Sequence, residues 1–441
     1  MSGAARLRRA LVGTPLAEAA GAVAARVAET PELDAVLARA PDAVCLGVAR
    51  AAAASPDGAR LALRRRGLPG RLAELDGAFA ARRADELARD AGAEPDDLEA
   101  FLDELRLLRR DETFLAACAD FGGLAPFEDV SRLLSAVAEA VVRRALRAAS
   151  RSVAGAETEL AVVAMGKLGG REFTYHSDLD LIFLYGGGVE AVAGASRIAQ
   201  RLISYVTTMT TAGVAYAVDS RLRPSGNQGM LVTSFDGFES YQSQEAATWE
   251  SLALVRARAI AGARATADAT LARVHARVFG GVPARWPEIA DMRRRVEAER
   301  APDETRGVEL KLGPGGLMDV EFLAEGAVLE LGRRAERAPL PSVPDLLRAT
   351  AGAEAVSELL EDYAFLRRVE SRMRWCAGRA EERLATDARL PAVAELIEPG
   401  LRPDALLARL AAARKRVRSA FDAVVTARTV RALAPADPAL R

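Results

Sequence analysis

The feature that most constrains this chain is a change of texture. Between about residues 158 and 262 lie four strand-like segments: LAVVAM from Leu160, DLDLIFLY from Asp178, GVAYAVDSRLR from Gly213 and MLVTS from Met230. Elsewhere the sequence runs in an Ala/Leu/Arg helical rhythm. Five of the six tyrosines (Tyr175, Tyr185, Tyr205, Tyr216 and Tyr241), all four glutamines and the single asparagine, Asn227, fall in this stretch. A glycine-rich connection, Gly186 to Gly188, and a helical stretch from about Ala195 to Met209 separate the strands. A long helix is expected after Ser234, with Phe238, Tyr241, Trp249, Leu252 and Val255 close to one stripe. Strands alternating with helices define an α/β unit of roughly 100 residues.

On the N-terminal side, LDELRLLRR from Leu102 and VSRLLSAVAEAVVRRAL from Val130 read as helices, punctuated at Pro69–Gly70, Glu94–Pro95 and Gly122–Gly123. The helical texture returns after residue 265, interrupted by KLGPGGLMDVEF from Lys311 and the proline-rich APLPSVPD from Ala338. The expected fold is α+β and mostly α, with a small mixed sheet. The expected units are an N-terminal helical domain over 1–155, a central α/β domain over 156–264 and a C-terminal helical bundle over 265–441.

Composition narrows the function. Lysine occurs only at 167, 311 and 415, which leaves 57 of the 60 basic residues as arginine. The 61 acidic residues bring the net charge to -1, and the two signs are interspersed, so neither nucleic acid nor any general polyanion-binding surface is expected. Two histidines and the scattered Cys45, Cys118 and Cys376 exclude a histidine-rich metal centre, a zinc knuckle and a disulfide framework. A reduced, cytoplasmic setting fits. The N-terminal MSGAARLRRALVG places charge where a signal peptide needs its apolar stretch. The uncharged run Leu202 to Val218, rich in Thr and Ser and broken by Gly213, reads as a helix entering a strand, so no membrane association is expected.

The chemistry concentrates in GKLGGREFTYHSDLDLIF, Gly166 to Phe183. Side chains two apart on a strand point the same way, so Asp178 and Asp180 share one face while Leu179, Leu181 and Phe183 pack the other. Two such carboxylates repel unless a cation lies between them, and Mg²⁺ takes one or two protein carboxylates and fills its shell with water and phosphate oxygens. Gly169 and Gly170 supply a turn whose backbone N–H groups can approach a triphosphate. In VDSRLRP, Asp219, Arg221 and Arg223 share one face of an expected strand. Three carboxylates can hold two Mg²⁺, and the arginines can neutralise a leaving pyrophosphate, as phosphoryl or nucleotidyl transfer requires. The Walker pattern of P-loop enzymes is absent.

Each element also has a plainer reading. A lone D-x-D is what a strand end meeting solvent looks like, but with the glycine turn and the D-x-R-x-R segment the set is far more specific. Ser177 is either a phosphate contact or a turn cap. Lys167 either meets a triphosphate or faces solvent. Lys311 either contacts phosphate or an acidic residue across a domain boundary, or belongs to a helix-entry motif whose Asp319 and Glu321 pair with arginines. His176 is read as a rim residue, and Trp249, Trp286 and Trp375 as packing.

The stretches GKLGGREFTYHSDLDLIFLY, YAVDSRLRPSGNQGMLVTS, TWESLALVRARAIAG and KLGPGGLMDVEF together resemble the glutamine synthetase adenylyltransferase family, within the nucleotidyltransferase superfamily typified by DNA polymerase beta. The resemblance runs from about Glu159 to Gly332, with fragments LRRDETF near Leu107 and YAFLRRVESRM near Tyr363 outside it. It implies an enzyme with ATP as substrate and glutamine synthetase as protein substrate. It further implies Mg²⁺ on Asp178, Asp180 and Asp219, with Asp219 accepting the proton of the incoming tyrosine. Gly169, Gly170, Ser177, Lys167, Arg221, Arg223 and Lys311 are then the candidate nucleotide contacts. Full-length family members join an adenylylating and a deadenylylating unit, and this chain carries one. DSRLRPSGNQGMLVTS and TWESLALVRAR look more like the adenylylating half, KLGPGG and FLRRVES more like the other. The expectation is adenylylation; deadenylylation by phosphate and a non-catalytic adaptor role remain as alternatives. Whether the helical ends bind the nitrogen-signalling protein PII stays open.

Overall fold

The computed structural model describes residues 1–55, 67–90, 97–153, 158–279, 285–300, 307–331 and 342–433. The expected break at Glu94–Pro95, the start of the proline-rich loop at Ala338 and the 155/156 boundary lie outside them. The second expected boundary falls at the first turn of helix Arg264–Val278.

The architecture is mostly helical around a small mixed sheet. Two strands form its centre, β1 (Leu160–Ala164) and β2 (Leu179–Tyr185), antiparallel with Leu160 opposite Tyr185 and Ala164 opposite Leu181. Every residue of β1 is buried and β2 is buried except at Asp180. That explains why both read as continuous apolar runs rather than alternating ones. The far edge of β2 carries two short strands in tandem, both parallel to it: β3 (Val218–Asp219) beside Leu179 and Asp180, and β4 (Val232–Ser234) beside Phe183 to Tyr185. β5 (Arg258–Gly262) closes the other edge antiparallel to β1, with a bulge at Val162/Val163. Helix Val192–Thr207 makes the crossover from β2 to β3, burying Ile198, Leu202, Tyr205 and Val206. Helix Phe127–Ser152 packs against that crossover helix and against β5.

The flanking helices are fused to this sheet through charge as well as apolar surface. On helix Leu98–Phe121 the buried Arg106 donates to the carbonyls of Leu102 (2.7 Å), Tyr205 (2.9 Å), Gly213 (3.1 Å) and Thr208, fixing the turn between the crossover helix and β3. One guanidinium thereby satisfies carbonyls that would otherwise be buried without donors. On the C-terminal side lie helices Leu317–Leu331, Ser357–Ala377 and Pro403–Leu433, with the small ladder of β6 (Val308–Glu309) and β7 (Arg383–Leu384) between them. No helix among the described residues is long and apolar enough to cross a membrane.

Four local expectations change. The D-x-R-x-R segment is not a strand: β3 ends at Asp219, whose Oδ1 accepts the backbone N–H of Arg221 (2.8 Å) and turns the chain. The long helix after Ser234 is two helices, Phe235–Gln244 and Thr248–Leu254; at the break, Glu250 accepts the Ala247 N–H (2.9 Å) and the Tyr241 hydroxyl (2.9 Å). Pro69–Gly70 lies inside helix Leu68–Leu72, with the proline in the first turn where its missing N–H costs nothing. Trp286 and Trp375 are buried, but Trp249 is 41% exposed.

The connection from β1 to β2 begins with a single helical turn, Gly166–Gly169, and its last glycine is there for packing. A Cβ on Gly169 would meet the Arg256 carbonyl oxygen at 2.2 Å and that of Ala164 at 2.8 Å. Gly169→Ala should therefore cost about 2 kcal/mol in urea denaturation, as overpacking does. An unchanged midpoint would show that the Arg256 backbone yields.

Candidate functional site

The three carboxylates come together at the β2/β3 edge. Asp180 stands opposite Asp219 in the parallel ladder, and Asp178 precedes Asp180 by two residues, so all three lie on one side of the sheet. Asp178 is exposed and Asp180 half-buried. Burial pushes the Asp180 carboxyl up from its ordinary value, Asp219 and Asp178 push it the same way, and Lys311 and Lys167 pull it down. Asp219 is held below its ordinary value, first by its hydrogen bonds from Arg221, whose Nε lies 3.0 and 2.9 Å from the two carboxylate oxygens. Gly166 has φ +51, and a Cβ there would meet Asp180 Oδ2 at 2.5 Å. Only glycine lets the backbone run past that carboxylate.

Asp178 and Asp180 offer oxygen donors only, and the half-buried Asp180 has no ion-pair partner among the described residues, which fits a hard divalent ion such as Mg²⁺. Among the described residues no three His, Cys, Asp or Glu side chains are gathered closely enough to form a cage. The reason is visible at Asp219, whose carboxylate is turned onto Arg221.

The other candidate residues divide. Arg221 is exposed at the site and feels Asp180 and Asp178 besides its Asp219 partner. Lys311 is half-buried, its ammonium has no hydrogen-bond or ion-pair partner among the described residues, and after burial it is the largest influence on Asp180. Its backbone is fixed: Glu309 Oε1 accepts the N–H groups of Lys311 (3.0 Å) and Leu312 (3.2 Å), and Arg293 donates to the Leu312 and Gly313 carbonyls (both 3.0 Å). Arg223 braces the following loop through the Ser220 carbonyl (2.7 Å) and the Gly229 carbonyl (3.3 Å). Gly169 and Gly170 are buried, the former against Arg256. Ser177 Oγ lies 2.9 Å from Thr174 Oγ1 and accepts from Arg374 (3.3 Å). Lys167 is turned away from the carboxylates onto Glu370 of helix Ser357–Ala377.

What the sequence reading did not assign is the buried clamp on the connection that carries Asp178. From the N-terminal side, Asp120 accepts the Tyr175 hydroxyl (2.9 Å) and Arg372 Nη2 (2.6 Å). From the C-terminal side, Glu172 accepts the Tyr363 hydroxyl (2.9 Å) and the Val343 N–H (3.0 Å), while Arg367 donates to the Glu172 carbonyl. Arg256 spans Glu325 (2.9 Å), Glu321 (3.7 Å) and Glu172 (3.7 Å). Burial, joined by Glu321, pushes the Glu325 carboxyl up to about 7 against the pull of Arg256. Glu370 serves three cations at once: Lys167, Arg367 (2.6 Å) and Arg374 (3.3 Å). Burial works against its charge, yet these cations hold its carboxyl far below the ordinary range. Burial and the neighbouring Arg374, Arg367 and Lys311 bring Lys167 down to about 7, against the pull of Glu370. The fragment FLRRVES contains Arg367 and Glu370, so the signal was in the sequence without its partner.

A sheet edge of this build, carrying three carboxylates between helical flanks, is the arrangement expected above from the resemblance to nucleotidyltransferases. Residues 59–273 match the family described as glutamate-ammonia ligase adenylyltransferase. Residues 288–425 match the family described as GlnD PII-uridylyltransferase, which nothing in the sequence reading anticipated. Bifunctional glutamine synthetase adenylyltransferase/adenylyl-removing enzymes are the curated relatives. That of Thioalkalivibrio sulfidiphilus is 35% identical over 280 residues, 57% of this chain and 29% of the relative. The Pseudomonas aeruginosa enzyme is 34% identical over 296 residues (59% and 30%), and that of Methylococcus capsulatus 38% over 263 residues (53% and 28%). The match thus spans under a third of each of these relatives.

The charge balance around Glu370 makes the two halves of its ion pair unequal. Glu370→Gln leaves three buried cations without their anion and should cost about 3–5 kcal/mol. Lys167→Met leaves Glu370 with two arginines and should cost about 1–2 kcal/mol. Urea denaturation of both variants checks the order; equal losses would remove Glu370 from the centre of the network.

Proposed function

We propose that this chain is a Mg²⁺-dependent nucleotidyltransferase unit that transfers AMP from ATP to a tyrosine of glutamine synthetase in the cytoplasm. The observation that carries the reading is the pairing of Asp180 with Asp219 across β2 and β3, with Asp178 beside them and the ammonium of Lys311, unpaired among the described residues, acting on Asp180. Asp178 and Asp180 would hold the metal, with Asp219 joining when Arg221 releases it. Bound there, Mg²⁺ would neutralise the triphosphate and favour the phenolate of the attacking tyrosine.

The chain's own groups divide the remaining work. Asp219 is the carboxylate placed to take the phenolic proton, and its bond from Arg221 keeps it ionised until substrate arrives. Arg221 is exposed, so its guanidinium can leave Asp219 for the departing pyrophosphate. Lys311 offers a compact ammonium with no competing anion among the described residues, suited to a phosphate oxygen. The tyrosine oxygen attacks the α-phosphorus, the bond to the β-phosphate oxygen breaks, and pyrophosphate leaves with that oxygen.

The bifunctional relatives favour one further reading on the same site. In deadenylylation a phosphate oxygen attacks the phosphorus of tyrosyl-AMP, the tyrosine oxygen departs and regains its proton, and ADP is released. The match of residues 288–425 to a PII-uridylyltransferase family supports PII as a ligand of the C-terminal helices. A purely adaptor role gains nothing from a glycine shaped to the Asp180 carboxylate.

Incubation with α-labelled ATP, Mg²⁺ and glutamine synthetase should label the synthetase. Asp178→Ala and Asp180→Asn should each lower the rate by about 10³-fold or more. Lys311→Ala should raise KM for ATP by roughly tenfold without loss of stability. Release of ADP from AMP-modified synthetase and phosphate, with no labelling, would reverse the direction; neither product would refute both readings.

A further inference from the structure

A second concentration of positive charge lies outside the carboxylate site. Helix Phe127–Ser152 presents Arg132, Glu139 and Arg143 along one face, at spacings of seven and four residues. Beside it stand Arg258 on β5, Arg171 at the end of the glycine turn, and Arg264 in the first turn of helix Arg264–Val278. Glu139 is the carboxylate at the centre, and both its oxygens are committed: Oε1 to Arg258 and Oε2 to Arg143 at 3.6 Å. Among the described residues Arg132 is paired only with Asp129 (3.2 Å), at the rim. Asp90, the other acid near Arg143, already binds Arg144.

Arg171 and Arg264 are exposed, and their guanidiniums have no hydrogen-bond or ion-pair partner among the described residues. Partial burial and then Arg258, Arg132 and Arg264 lower the Arg171 pKa, with Glu139 alone opposing. Arg143 is lowered by burial and by Arg264 and Arg258, against Glu139 and Asp90. Elsewhere in the fold, crowded buried arginines share carboxylates, as Arg256 does with three. Here the ratio is reversed, in a chain whose net charge is -1.

We propose that Arg132, Arg143, Arg171, Arg258 and Arg264 form a binding site for a phosphate-bearing anion, separate from the carboxylate site. The floor, Arg143 and Arg258, is desolvated and fixed by Glu139, while Arg171 and Arg264 stand at the rim with forks that bind no partner among the described residues. Fixed guanidiniums below and free ones above suit a compact, multiply charged ligand that accepts bidentate hydrogen bonds. The site also reaches the chemistry. Arg258 donates to the carbonyls of Leu168 (3.1 Å) and Gly169 (3.3 Å), which end the turn whose first residue, Gly166, abuts Asp180. A ligand that draws on Arg258 acts on that turn.

The test is calorimetric titration of the full chain with pyrophosphate in EDTA, so that no metal recruits the anion to the carboxylates. Wild type should bind with Kd below about 1 mM. Arg171→Glu/Arg264→Glu should weaken binding at least tenfold, and the milder Arg171→Gln/Arg264→Gln, which leaves folding intact, by a smaller but measurable factor. Lys311→Ala and Asp180→Asn should leave it unchanged. Parallel titrations with AMP and ATP distinguish a free phosphate chain from a nucleotide as the ligand. Absence of pyrophosphate binding, equal binding by both double variants and wild type, or loss of binding in Lys311→Ala would overturn the proposal.

Discussion

Everything at the carboxylate edge depends on the buried connection between β1 and β2. It leaves the core at Met165, turns at Gly166–Gly169, and must deliver Asp178 and Asp180 at the start of β2. That path passes between two helices that are far apart in sequence. Helix Leu98–Phe121 supplies Asp120, and helix Ser357–Ala377 supplies Tyr363, Arg367, Glu370, Arg372 and Arg374. A connection rich in polar groups is tolerated at this depth because nearly each of them finds a charged or hydroxyl partner from one flank or the other. The flanking helices are therefore part of the site's construction.

This explains the use of arginine. A guanidinium offers five donors in a fixed plane, so one side chain can bind several acceptors from different elements. Arg106 takes four carbonyls, Arg256 three carboxylates, and Arg367 both a carboxylate and a carbonyl. The two lysines near the site behave differently: Lys167 meets one carboxylate in a crowd of arginines, and Lys311 is left without a partner among the described residues beside Asp180. Groups left uncompensated mark where a fold departs from its own rules for the sake of a ligand. Asp180 and Lys311 are such groups.

Much of the fold was legible because it is written in local patterns. The apolar run Leu160–Ala164, the D-x-D of β2 and the crossover helix each announce themselves within a few residues. β5 escaped because RAIAG is short and alanine-rich, and β3 was drawn too long because the Asx turn at Asp219 competes with a strand by a single hydrogen bond. The clamp was illegible for a different reason. Lys167 and Glu370, or Tyr175 and Asp120, are joined by tertiary placement, and no spacing rule links residues so far apart. Gly169 shows the same limit: a glycine turn before a carboxylate pair suggests an open cradle, and only the position of the Arg256 backbone reveals the close packing behind it.

The most direct test of this arrangement is amide hydrogen exchange in Arg367→Met, which loses the bonds to the Glu172 carbonyl and to Glu370 while keeping an apolar side chain of similar length. The Ser177 and Leu179 amides, bonded to the Thr174 and Ala217 carbonyls, should lose protection, while the β1–β5 ladder around Val162 keeps its own. Protection lost equally across the sheet, or unchanged at Ser177 and Leu179, would contradict the claim that the C-terminal helices hold the connection bearing Asp178 in place.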